Sequence, residues 1–505
     1  MNSSGQIKYG VIISYASLFL NIVTGLLYTP WMINTIGKAN YGLYTLAMSV
    51  ISLFVFDFGL GSAISRFVSK YLSEGRQDKV DNLLGLVFKL YLLGDCIVLV
   101  GLSVVYCFLP SIYQGLTSDE LSSFKVVFLV AGLFCIISFP FLPLNGVITS
   151  YEKFIPLKTC DLIHKVIVVG LMTCCLLLGG GLYSLVIVNS IACVVIIFLK
   201  LGILGKIRIK AINWSFWDKA LLRSVFGFSL WVMITQLAQR CVFNLAPSIL
   251  AAFANSSSVS ILGIAMVLEG YTYTFANAIN GMFLPKVSRM VAANDKQSIL
   301  NLMIRVGRIQ IYIIGLICVG YICTGRDFID AWLGPDYSEV YVCALMIILP
   351  SFFQLPQEIG STTVVAEGKV KHQAYAFLIM AAINIVLAVP LSKYYGVKGL
   401  CLSIMMSYFI RTFLMDALFY KELGLNVFLF FKESFLKILP SILLSMIVTL
   451  GICHFISISG WLGFVLKALI CVVAFAISVW LFAMNYEEKK LLIEPIKKLL
   501  VNKQK

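Results

Sequence analysis

The chain has 505 residues, 60% of them hydrophobic and 12% charged, with a formal net charge of +15. Soluble domains carry about 25% charged residues and cannot hide this much apolar surface, so the composition excludes a soluble globular fold. The positive balance does not mark a nucleic-acid groove, because the cations fall in short loops between apolar spans.

Taken in order, the apolar runs predict an all-α integral membrane protein of fourteen transmembrane helices. They lie at roughly 9–33, 41–65, 84–109, 124–150, 157–179, 182–203, 224–251, 259–284, 307–324, 340–365, 373–392, 398–420, 435–457 and 461–485. Each has about the 20 residues that cross about 30 Å of hydrocarbon. Helices follow because every backbone group in lipid must be satisfied within its own segment. The first run is too long for a cleaved signal segment and reads as a retained helix.

Lys and Arg crowd the even-numbered loops and the tails. Arg66, Lys70, Arg76 and Lys79 share one such loop; Lys286, Arg289, Lys296 and Arg305 share another. The odd-numbered loops hold only Lys38, Arg326, Lys393 and Lys398. The positive-inside rule therefore puts both termini in the cytoplasm.

A pattern in Pro30–Leu83 returns about 218 residues later. Pro30 matches Pro247, Ala47-Met48 matches Ala265-Met266, and Val80, Asn82 and Leu83 match Ile299, Asn301 and Leu302. In membrane proteins an internal repeat marks transporters built from two related halves. The expected layout is an N-lobe of six helices (1–203), an interfacial linker (204–223), and a C-lobe of six helices (224–420). Helices 13 and 14 (421–485) and a basic cytoplasmic tail (486–505) follow. An even number of spans per lobe makes the repeat a direct one. Prolines fall at corresponding places, Pro30 with Pro247, and Pro140 and Pro143 with Pro350 and Pro356. Matching kinks are expected there, though proline is also ordinary in membrane helices.

Charges inside the spans carry the functional expectation, because a charge in hydrocarbon usually faces a partner or a cavity. The deep ones are Asp57, Asp95, Arg240, Glu269, Glu358, Arg411 and Asp416. Gln236, Arg240 and Asn244 repeat every four residues and form one polar stripe on a helix. Arginine suits phosphate because its planar fork donates two parallel hydrogen bonds. Arg240, Arg411, Gln236, Asn244 and Arg66 are thus candidate substrate contacts, with a packing ion pair between Arg240 and Glu269 as the alternative. Glu269, Asp57 and Glu358 are candidates for ion or proton coupling, with helix-packing pairs as the alternative. No Walker loop, nucleophile elbow or metal-ligand pair occurs, so an enzyme, a metal site and a cofactor are not expected. The fourteen cysteines include no CxxC pair and read as small hydrophobes.

Ile36-Gly37-Lys38-Ala39-Asn40-Tyr41-Gly42, followed by Asp57-Phe58-Gly59-Leu60 and Arg66-Phe67-Val68-Ser69, resembles the bacterial polysaccharide-lipid flippases of the Wzx, or O-antigen translocase, type. Ala366-Glu367-Gly368-Lys369 is similar to that family's loop after the tenth span. The family belongs to the multidrug/oligosaccharidyl-lipid/polysaccharide exporter superfamily. The resemblance implies a flippase of the bacterial inner membrane that moves undecaprenyl-diphosphate-linked oligosaccharide to the periplasmic leaflet. The destination would be O-antigen, lipopolysaccharide or another surface polysaccharide. It further implies alternating access, ion or proton coupling and a cationic cavity, with a polysaccharide polymerase and a chain-length regulator as partners. A multidrug-type cation antiporter of the same superfamily is the alternative, and a non-transporting scaffold in a glycan-assembly complex is a third reading.

Overall fold

Every described element of the computed structural model is helical, as backbone chemistry in hydrocarbon requires. The structure describes residues 3–55, 60–207, 213–280, 283–490 and 493. In chain order the helices are α1 (Ser3–Ile36), α2 (Lys38–Phe54), α3 (Leu60–Ser73), α4 (Gln77–Ile112), α5 (Ser118–Ser138), α6 (Leu144–Ser150), α7 (Phe154–Leu177), α8 (Leu182–Ile207), α9 (Lys219–Asn244) and α10 (Ala246–Phe253). They continue as α11 (Ser256–Asn280), α12 (Leu284–Ala292), α13 (Lys296–Trp332), α14 (Glu339–Gln354), α15 (Glu358–Ala366), α16 (Val370–Lys421), α17 (Val427–Phe431), α18 (Lys437–His454) and α19 (Gly460–Ser478).

Among the described residues, nine segments are long and apolar enough to cross a membrane. One of them is α16, whose 52 residues are broken at Gly396 (φ 57°, ψ −136°) and cover two of the predicted spans. Helices also lie over the predicted spans 1, 2, 7 and 8, of which spans 2 and 8 include residues outside the description.

Several predicted spans are broken rather than continuous. The fourth runs as α5, a single 3₁₀ turn at Phe139–Phe141, and α6; the tenth runs as α14, a 3₁₀ turn at Leu355–Gln357, and α15. Both turns carry proline in their first two positions, where a missing N–H costs least. The two segments therefore break alike. The first and seventh do not: α1 runs through Pro30 unbroken, whereas α9 and α10 part at Leu245, just before Pro247. The second divides into α2 and α3 after Val55.

Contacts group the chain into two compact units. Unit 1 comprises Met1–Gly263 and Phe377–Ser403; unit 2 comprises Ile264–Ala376 and Ile404–Lys505. In unit 1, α7 packs on both α1 and α8, and α3 packs on α6. The segment before α9 docks on α4, where Asn213 Nδ2 donates to Asn82 Oδ1 (2.7 Å) and Lys89 Nζ donates to Phe216 O (3.0 Å). Trp214 and Trp217 beside it stay exposed, as amphipathic rings at a membrane interface do.

At one end of unit 1 the turn between α10 and α11 is wedged between two glycines. A Cβ on Gly42 would overlap the Ser256 carbonyl, and one on Gly115 would overlap the carbonyls of Ala251 and Ala254. Glu120, which closes a capping box with Thr117 at the start of α5, also accepts a hydrogen bond from Ser256 Oγ. Tyr113 OH and Ser248 Oγ add a 3.2 Å hydrogen bond.

In unit 2, α13, α18 and α19 pack on one another. Lys467 of α19 pairs with Asp327 near the end of α13 (2.8 Å), and Arg308 near its start pairs with Glu488 beyond α19.

Candidate functional site

Two polar assemblies lie within the helices, one in each unit. The first joins the ends of α2 and α9. The last carbonyls of a helix have no partner inside it and carry partial negative charge. Arg240 Nη1 donates to two such groups, Ser52 O (2.6 Å) and Val55 O (2.9 Å). Asn244, the last residue of α9, donates from Nδ2 to Ser52 Oγ (2.6 Å). Its own carbonyl accepts from Ser49 Oγ (2.9 Å). The two helix ends thus exchange donors, and Arg240 steadies α2 where it parts from α3.

Of the predicted stripe, Arg240 and Asn244 come together here, whereas the Gln236 side chain is exposed. Arg66 sits in α3, which packs against α9, but its side chain is outside the description. Asp57 lies outside the described residues.

The second assembly belongs to unit 2 and centres on the break between α14 and α15. Ser351 Oγ, in the last turn of α14, donates to Glu269 Oε1 of α11 (3.4 Å). Gln357 closes the 3₁₀ turn; its Nε2 lies 3.0 Å from Phe353 O, and its side chain hydrogen-bonds Asp416 of α16. Glu358 follows at once and lies within electrostatic reach of Arg411, one and a half turns before Asp416. Arg411 is 5% exposed, with its guanidinium 5.8 Å from the Tyr408 ring centre and within reach of Tyr273. The proline break therefore presents Gln357 and Glu358 to one face of α16. Three carboxylates, on Glu269, Glu358 and Asp416, share these elements with a single deep guanidinium.

Asp416 was readable as a deep charge in the sequence. Gln357 and Ser351 were not singled out, although Pro356 beside Gln357 signalled the break that orients it. Among the described residues no group of His, Cys, Asp and Glu is arranged to hold a metal ion.

Long apolar helices with buried charges and two proline breaks of the same form define a multi-pass membrane protein. A family profile described as "Polysaccharide biosynthesis protein" matches residues 7–291, more than half of the chain. The chain belongs to that family, and a bacterial cytoplasmic membrane fits it. The uncharacterized membrane protein EpsK of Bacillus subtilis (strain 168) is 20% identical over 95% of this chain and 96% of its own length. The fold is similar to that of the lipid II flippase MurJ in an inward closed conformation, with a TM-score of 0.66, 17% identity and 95% and 98% of the two chains covered. It is also similar to an inward-facing multidrug resistance MATE transporter of the MOP superfamily, with a TM-score of 0.61, 10% identity and 79% and 97% covered.

Proposed function

We propose that this protein is a flippase that carries lipid-linked oligosaccharide units from the cytoplasmic to the outer leaflet for surface polysaccharide assembly. The carrying observation is the polysaccharide-biosynthesis family match over residues 7–291, and the likeness to a lipid II flippase along nearly the whole chain accords with it. The carrier lipid in this reading is undecaprenyl diphosphate, delivered in a bacterial inner membrane to O-antigen, lipopolysaccharide or a related polymer. A polymerase and a chain-length regulator act downstream. Fourteen spans, both termini in the cytoplasm and the division at 203, 223, 420 and 485 belong to the same proposal.

Arg240, Arg411, Gln236, Asn244 and Arg66 are assigned to the anionic headgroup. Arg240 already holds two carbonyls at the end of α2. A diphosphate drawing on that guanidinium would loosen the α2 end, which links binding to a helix break. Coupling to an ion or proton is assigned to Glu269 and Glu358, with Asp57 as a further candidate. The unit-2 assembly supports this, because three ionised acids against one base leave two negative charges, which bound protons or monovalent cations would balance.

The multidrug-type antiporter remains the second reading, favoured by the likeness to MATE transporters. A deletion strain separates them. Loss of surface polysaccharide, restored by the intact gene, is expected for the flippase. A broad gain in drug sensitivity with polysaccharide intact would overturn it.

A further inference from the structure

The hairpin of α7 and α8 carries positive charge that its surroundings do not balance. His164 of α7 and Cys193 of α8 face each other, with Nε2 and Sγ 3.6 Å apart. Lys200, two turns beyond Cys193, lies within electrostatic reach of His164, Cys160 and Cys193, and Lys165 within reach of His164. His164, Lys165 and Lys200 are all half-buried. A rise of 1.5 Å per residue puts His164 about 15 Å from the start of α7 and Lys200 about 10 Å from the end of α8. These are the two ends of the hairpin on one side of the membrane.

The elements packed closely on this pair are α1, α2, α5 and α6. Of these, α1, α2 and α6 contain no Asp or Glu, and neither does α8. The only acid in α7 is Asp161, which pairs with Lys158 (3.1 Å) and lies within electrostatic reach of His164 and Cys160 but is not paired with Lys165 or Lys200. The acids of α5, Asp119 and Glu120, sit in its first turn. The chain crosses the bilayer in α5 and α6 before α7 begins, so that turn is at the opposite side. Among the described residues Lys165 and Lys200 have no acidic partner. Cations inside a membrane span need a counter-charge, and long lysine stems bring their ammonium groups to the level where lipid phosphates lie.

We infer that the α7–α8 hairpin binds the phosphate group of a lipid, with Lys165 and Lys200 as the charged contacts and His164 as a hydrogen-bonding neighbour. The lipid is either an anionic phospholipid of the bilayer or the diphosphate carrier itself. The second source rests on the flippase reading; the first does not.

The test uses the full chain in phosphatidylcholine nanodiscs doped with phosphatidylglycerol in one arm and with a polyprenyl diphosphate in the other. Native mass spectrometry reads the lipid retained. Lys165→Gln with Lys200→Gln is expected to weaken retention in at least one arm by roughly thirtyfold, about fivefold per lysine. Lys165→Arg with Lys200→Arg is expected to keep it. Loss confined to the phosphatidylglycerol arm assigns the site to bilayer lipid, and loss confined to the polyprenyl arm assigns it to the carrier. Unchanged retention in both arms, or an equal loss of phosphatidylcholine, overturns the inference. Should the double variant not fold, Lys165→Gln alone is read for its fivefold effect. An inactive wild-type flippase that still retains phosphatidylglycerol through these lysines would remove the transport reading and leave the site standing.

Discussion

Arg308 and Glu488 stand 180 residues apart in sequence, and Arg308 Nε donates to Glu488 Oε1 at 2.5 Å. Both side chains are only 6% exposed. The other guanidinium nitrogens are taken as well: Nη1 donates to Glu433 O (2.7 Å), and Nη2 to Ala483 O (2.7 Å), Tyr312 OH (2.8 Å) and Glu488 Oε2 (3.0 Å). Glu433 and Ala483 belong to the two π-helical turns, Lys432–Leu436 and Val479–Ala483. A π turn shifts carbonyls out of the regular ladder, and here one arginine collects a carbonyl from each. Arg308 thereby ties α13 to the start of α18, to the end of α19 and to the tail.

Breaking a buried pair by removing one partner typically costs about 3–5 kcal/mol. Glu488→Ala should therefore lower the thermal midpoint in detergent by several degrees, and Glu488→Gln by less, since it keeps the hydrogen-bonding shape. Burial alone would raise the Glu488 carboxyl, but the Arg308 hydrogen bonds, the Asn485 N–H, the guanidinium charge and the Tyr312 hydroxyl outweigh it and hold it below the ordinary range. A depressed carboxyl stabilises the fold above its unfolded value of about 4.3, and that contribution is lost as pH falls through the lower folded-state value. Midpoints measured from pH 7 downward should drop more steeply in the wild type than in Glu488→Gln. Parallel curves would show that Glu488 is not the group responsible.

Arg240 offers a separate stability experiment. Two carbonyls at the end of α2 lose their donor in Arg240→Ala, and an unsatisfied buried polar group costs about 1–3 kcal/mol. Arg240→Lys should recover only part of this, since an ammonium lacks the planar fork. A midpoint unchanged in Arg240→Ala would contradict the helix-end role.

At Gly42 the packing leaves no room for a methyl group against the Ser256 carbonyl. Overpacking of this kind costs roughly 1–3 kcal/mol. Gly42→Ala should thus destabilise the protein more than Gly202→Ala, at an exposed helical glycine with open space around it, and cysteines introduced near Asn255 should become more reactive to polar maleimides. Unaltered labelling would mean that the turn does not depend on that close approach.

The unit-2 acids lead to a transport prediction. Glu269→Gln and Glu358→Gln should make lipid-linked sugar movement insensitive to an imposed proton or sodium gradient. Asp416→Asn should act in the same direction, because Asp416 shares the Gln357–Glu358 turn. Gradient dependence retained in all three variants would remove coupling from this assembly.

Much of the fold was legible because hydropathy reports bilayer crossings directly, and because Pro140, Pro143 and Pro356 announce the breaks at 139–141 and 355–357. The division of the second span after Val55 was not, since no proline marks it; what steadies it is Arg240, 185 residues away. Helical period placed Arg240 and Asn244 on one face, but period does not say what that face meets. It meets Ser49, Ser52 and Val55, residues with no special signal. Arg308 lies at the edge of the predicted span 307–324, yet its partner lies in the tail, and local pattern cannot pair residues so far apart.

The most direct measurement follows one labelled lipid-linked oligosaccharide in proteoliposomes containing only this protein. A membrane-impermeant glycosidase reads how much sugar has reached the outer surface. The flippase account predicts a protein-dependent rise in the cleavable fraction, with no movement of an organic cation under the same gradient. A flat oligosaccharide signal beside gradient-driven cation transport would contradict it.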